Sequence, residues 1–198
     1  LTGDPANMSD QPNSKGVFEA NSLMLLKMIK SFNYGMDFAG RPFKIEPKQI
    51  FPFAVVNAYA KNFGSLEKKM HLKIQNGAVG VITQPVFDIE NVKKLLENFE
   101  NAKENVEGDK RKAQLIFGVF PITKLRTALF LSAQVPGIHV PQFWIDELEK
   151  AHNISEEEEY KVGMQLSKNL FDEINRIHPK IHLMTANNKF EVASEILA

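Results

Sequence analysis

A chain of 198 residues with an apolar share of 43% can fill the core of one ordinary domain, and we expect a single domain over residues 1–198. Lys plus Arg and Asp plus Glu both number 24, so no net field draws the chain to nucleic acid or to an anionic membrane surface. Cysteine is absent, which excludes disulfides, thiolate metal sites and a cysteine nucleophile and fits a reducing cytoplasm. No run approaches the roughly 20 apolar residues that span a bilayer, and no signal peptide is visible, so the expected location is cytoplasmic.

The chain opens on Leu1-Thr2-Gly3-Asp4, the polar end of a strand whose beginning is not in the sequence, and it therefore reads as part of something longer. Residues 5–16 carry Pro5, Pro12 and Gly16 among Asn, Asp and Ser, a loop composition. Leu23, Leu26, Ile29 and Phe32 fall at helical spacing behind a cap at Asn21 or Ser22, with Gly35 available to end the helix. Phe51 to Val56 is aromatic and β-branched, predicts a second strand, and stops at Asn57 ahead of a helix over 64–76 that Gly77 ends. Val79 to Thr83 predicts a third strand, 89–103 a helix with Val92, Leu95, Leu96 and Phe99 inward, and 104–112 a charged turn. Gln114 to Val119 predicts a fourth strand, followed by a helix holding Leu125, Ala128, Leu129 and Leu131. Helices are then expected near 142–150 and 156–176, a fifth strand at Ile181 to Met184, and a last helix from Phe190 to Leu197.

Strands alternating with helices imply parallel pairing through right-handed crossovers, an α/β class with about five parallel strands. In such folds ligands gather at the carboxyl ends of the strands, where Asp4, Asn57, Thr83 with Gln84, Phe120-Pro121, and Thr185 with Asn187 fall.

No Gly-rich dinucleotide fingerprint, phosphate loop or Gly-x-Ser-x-Gly elbow follows a strand. His71, His139, His152, His178 and His182 lack metal-ligand spacing and read as structural. The acidic run Glu156 to Glu159 suits a helix start, where it meets the dipole. Asp4 can cap its loop or face a ligand. Gln84 precedes Pro85, which should end ladder pairing and push the glutamine out at the rim. Lys68, Lys69 and Lys73 suit a solvated helix face, and Phe18 and Tyr59 suit either stacking on a planar ligand or a satellite core.

Taken together, Leu1-Thr2-Gly3-Asp4-Pro5, Tyr34-Gly35-Met36-Asp37-Phe38-Ala39-Gly40, Val55-Val56-Asn57, Lys73-Ile74-Gln75-Asn76-Gly77-Ala78 and Thr83-Gln84-Pro85-Val86-Phe87-Asp88 resemble the methylenetetrahydrofolate reductase family. Gly118-Val119-Phe120-Pro121-Ile122-Thr123, Pro136-Gly137-Ile138-His139-Val140-Pro141 and Ile181-His182-Leu183-Met184-Thr185 continue the likeness. The resemblance implies a (β/α)8 TIM-barrel type fold, here incomplete and running from the family's fourth strand to its eighth. It implies FAD as cofactor, NAD(P)H as reductant and a folate substrate, with 5,10-methylenetetrahydrofolate reduced to 5-methyltetrahydrofolate in one-carbon and methionine metabolism.

By the same resemblance Asp4 is the catalytic aspartate near the flavin ring, and Asp4 and Gln84 converge over one flat ring. Thr2, Gly3, Phe18, Glu19, Asn57, Lys69 and Lys73 match cofactor positions, and Gln84, Thr127, Leu131 and Asn188 match substrate positions. Thr2 stands where the family usually has Arg, Asn57-Ala58 where it has Asn-Pro or Tyr-Pro, Leu131 where an aromatic is frequent and Asn188 where a basic residue is frequent. The family's general-acid glutamate lies on a strand absent from this sequence, so the piece alone is expected to be inactive, and its unpaired sheet edge invites self-association into a homo-oligomer. The rival expectation is a noncatalytic flavin-binding or folate-binding subunit. A barrel lyase acting on phosphate sugars is a third, without a strand-end Lys or phosphate loop to favour it.

Overall fold

In the computed structural model, residues 21–106, 108, 112–186 and 189–198 are described. Asn21 caps helix α1 (Ser22–Asn33) by accepting the Met24 N–H at 2.9 Å, and Gly35, at φ +75°, turns the chain away. The Asn33 amide then holds the far end of the following connection, donating to the Ile50 carbonyl and accepting the Ile50 N–H. Those two bonds set the entry into strand β1 (Phe53–Val56).

Helix α2 (Phe63–Gln75) is capped by Asn62 and buries Leu66, Met70 and Ile74, four residues apart on one face. Strand β2 (Gly80–Pro85), helix α3 (Ile89–Glu104), strand β3 (Gln114–Val119) and helix α4 (Leu125–Gln134) repeat the unit. Helices α5 (Gln142–His152) and α6 (Glu156–Ile177) precede strand β4 (Ile181–Leu183) and helix α7 (Phe190–Leu197). The four strands form one parallel sheet in the order β1-β2-β3-β4. This is the α/β, incomplete barrel-type architecture expected from the alternation; the strand expected at Leu1 to Gly3 lies outside the described residues.

One sheet face packs on the helices. Val81, Leu115, Phe117 and Val119 are sealed there with Phe87, Phe99 and Trp144, which the helices supply or flank. The opposite face is open at the β1 edge, where Phe53 and Val55 remain 54% and 50% exposed between buried Ala54 and Val56.

One local expectation is corrected. Pro85 does not end the ladder: after a register shift between Ile82 and Pro85 it pairs with Gly118, and Val86 N–H donates to the Gly118 carbonyl. Gly118 makes this close approach tolerable, because a methyl there would stand 2.5 Å from the Thr83 carbonyl oxygen. The acidic run stands at the start of α6 as expected, and one of its members also leaves the surface. Glu159 is 3% exposed and accepts the Leu125 N–H at 2.7 Å, capping α4 from outside because Lys124 at the N-cap position makes no side-chain cap. No helix among the described residues is long and apolar enough to cross a membrane.

Candidate functional site

The turns that leave β1 and β2 are bolted to each other. Asn91, at the start of α3, donates its side-chain amide to the Ala58 carbonyl at 2.9 Å, and Asp88 caps the same helix through the Asn91 N–H. The Tyr59 hydroxyl accepts the Phe87 N–H at 2.7 Å and donates to Asp88 Oδ2 at 3.1 Å. Burial, with the Asp88 charge adding to it, pushes the Tyr59 hydroxyl far above its ordinary range, so this group stays protonated. Tyr59 is therefore a fixed strut that also meets the His139 ring edge-on at 5.5 Å.

These bonds fix where Asn57 and Gln84 stand. Asn57 Oδ1 accepts the Tyr59 N–H at 2.7 Å, which leaves Nδ2 as its free group. Gln84 Nε2 donates to the Pro136 carbonyl across a long 3.4 Å, and Gln84 Oε1 is buried with no partner. Both free groups crowd Gly137: a methyl there would fall on Asn57 Nδ2 and within 2.6 Å of Gln84 Oε1, and Gly137 itself has φ +82°. A donor from β1 and an acceptor from β2 thus share one spot on the rim.

Below that spot opens a cleft of about 520 Å³ lined by Asn57, Tyr59, Lys61, Lys69, Lys73 and Gly137 among others. Lys73 is half-buried and its Nζ donates to the Val55 carbonyl. Desolvation pulls its pKa down, and the neighbouring Lys69 charge adds to the shift. Among the described residues no carboxylate pairs with Lys69 or Lys73, so the cleft presents two unneutralised cations. A second cleft of about 200 Å³, at the ends of β3 and β4, is lined by Thr123, Lys124, Arg126, Thr127, Thr185 and Lys189 among others.

Of the residues singled out in the sequence, Asn57, Lys69 and Lys73 come together in the first cleft, with Gln84 beside it at Gly137. Thr127 lies in the second cleft. Leu131 is 7% exposed within the main core and lines neither cleft, a packing position on α4. Thr2, Gly3, Asp4, Phe18, Glu19 and Asn188 lie outside the described residues, as does the convergence expected between Asp4 and Gln84. Gly137 is not among the site residues expected from the sequence; its signals there are the Pro136-Gly137 turn pair and its place in the Pro136 to Pro141 motif.

The parallel strand-and-helix sheet is an incomplete barrel-type α/β fold, with a cleft lined by amides and lysines beside the ends of its strands. The chain belongs to the methylenetetrahydrofolate reductase family, whose model matches residues 1–198. It is similar in fold to an uncharacterized protein from Clostridium thermocellum whose structure binds two copies of 5-methyl-5,6,7,8-tetrahydrofolic acid. That similarity has a TM-score of 0.51 at 21% identity over 73% of this chain, and the chain spans about half, 50%, of that protein's length. No curated protein matches the sequence.

Proposed function

We propose that this protein binds a folate and takes part in the flavin-dependent reduction of 5,10-methylenetetrahydrofolate to 5-methyltetrahydrofolate, with NAD(P)H as reductant. The observation that carries the reading is the orphaned Gln84 acceptor beside the free Asn57 donor, next to a cleft lined by two lysines that no carboxylate pairs among the described residues. Family membership and the folate bound by the Clostridium thermocellum protein support it.

The donor set fits FAD. Lys69 and Lys73 would hold its phosphates, where half-burial of Lys73 strengthens a charge-assisted hydrogen bond. When bound, FAD supplies hydride relay between a nicotinamide and the folate. Gln84 would orient the pterin through its free Oε1, and Thr127 would contribute from the second cleft. By the family resemblance Thr2, Gly3, Phe18, Glu19 and Asn188 complete the ligand contacts, and Asp4 stabilises the cationic folate intermediate.

The experiment is anaerobic half-reaction spectroscopy on the full-length protein reconstituted with FAD. Bleaching of the flavin by NADH followed by its return with methylenetetrahydrofolate supports the enzyme. Tight flavin or folate binding without either step supports a noncatalytic subunit, and binding of neither refutes both.

A further inference from the structure

We propose that Pro136-Gly137 is the positioning element of this rim: the Pro136 carbonyl turns the Gln84 amide so that Oε1 is its free group, and the missing side chain of Gly137 makes the room in which Asn57 and Gln84 present a donor and an acceptor together. The two orientations are forced separately. Tyr59 N–H needs an acceptor and takes Asn57 Oδ1, and a carbonyl can only accept, so Pro136 takes Gln84 Nε2. What remains is Nδ2 from one side chain and Oε1 from the other, flanking one point at Gly137.

Such a pair recognises a ligand that places a carbonyl-type acceptor next to an N–H donor, the lactam or amidine edge of a fused heterocycle. A ligand with two acceptors leaves the buried Gln84 Oε1 unpaired, and one with two donors gives up the bond to Asn57 Nδ2, which belongs to an exposed residue. Identification of that heterocycle with a folate rests on the proposed function; the placement of the two amides does not. Gly137 is accordingly a positioning residue, acting through Asn57 and Gln84. The 136–139 segment is braced for this task by the His139 ring against Tyr59.

Gly40 provides an internal control. Its φ is +81°, against +82° for Gly137, yet a methyl at Gly40 meets nothing within 4 Å. Gly40→Ala therefore imposes the left-handed backbone strain alone, and Gly137→Ala imposes the same strain plus the collision with both amides.

The test compares the two variants in the full chain, reading 5-methyltetrahydrofolate affinity by calorimetry and the side-chain NH2 resonances of Asn57 and Gln84 by NMR. Gly137→Ala should raise Kd at least tenfold and shift both pairs of resonances, whereas Gly40→Ala should stay within twofold of the parent with both pairs unmoved. Equal behaviour of the two variants in resonances and affinity overturns the proposal. If the parent protein itself ignores the folate, that reading fails and the resonances alone decide the role of Gly137. Should Gly137→Ala not fold, the same change is made with Asn57→Ala and Gln84→Ala. Recovered folding supports the collision, and continued failure refutes it.

Discussion

The Tyr59 hydroxyl donates to the Asp88 carboxylate at 3.1 Å while accepting the Phe87 N–H at 2.7 Å, so one side chain from the turn after β1 closes the turn after β2. Tyr59→Phe leaves the Phe87 N–H, in a residue 1% exposed, without a partner. The expected loss is about 1–3 kcal/mol, read from denaturant midpoints at constant slope.

The same tyrosine gives a pH signature. Its folded pKa is raised above the ordinary value of 10.0, so the folded state holds the phenolic proton more tightly than the unfolded chain does. Its stabilising contribution is complete below that pH and is lost as the pH climbs beyond it. The difference in unfolding free energy between the parent and Tyr59→Phe should therefore be flat up to about pH 10 and shrink above it. A difference that stays constant to pH 11 removes this account.

The buried carboxylate of Glu159 leads to a second stability prediction. It is the acceptor for the Leu125 N–H, and His152 Nδ1 lies 3.2 Å from the same oxygen. Glu159→Ala should cost about 1–2 kcal/mol, the usual loss of a helix cap. Glu159→Gln keeps an acceptor and should cost less than Glu159→Ala. Thermal unfolding of the two variants side by side checks the order.

Much of this architecture was legible in the sequence because helix signals are local. Asn21, Asn62, Asp88 and Ser155 each cap the helix that follows them, and Gly35 and Gly77 turn left-handed just past the ends of α1 and α2. The extension of β2 through Pro85 was not legible, because it depends on Gly118 arriving opposite from another strand. Nor was the burial of Glu159, which depends on where α4 begins in space, or the seat of Gly137 between two amides from β1 and β2. Asn57 is legible from its place at a strand end and Lys69 and Lys73 from motif resemblance, and the geometry adds that they share one cleft. Leu131, also chosen by resemblance, packs in the core, since an aliphatic side chain at an inward helix position gains more from packing than from solvent.

The two cleft lysines should separate in their effects on FAD. Lys73 is half-buried and already desolvated, whereas Lys69 is exposed, so a phosphate bond to Lys73 is the stronger of the two. Lys73→Met should weaken FAD binding by roughly tenfold to a hundredfold, following the ~1.5–3 kcal/mol of a charged hydrogen bond, and Lys69→Met by only a few-fold. Flavin fluorescence titrations at two salt concentrations check both, with the Lys69 contribution fading as salt rises.

Gln84 gives the sharpest division between ligands. Its Oε1 is a buried side-chain acceptor that lacks a partner, and its Nε2 is spent on the Pro136 carbonyl. Gln84→Ala removes that acceptor from the folate side without touching the Lys69 and Lys73 cleft, so 5-methyltetrahydrofolate affinity should fall by about 1–3 kcal/mol while FAD affinity stays within about twofold. Gln84→Glu should do worse than its size suggests: a carboxylate has no N–H for Pro136, and the two oxygens would face each other. Calorimetric titration of each ligand into each variant gives the comparison, and an equal loss of both ligands in Gln84→Ala would assign this residue to the frame of the site rather than to pterin recognition.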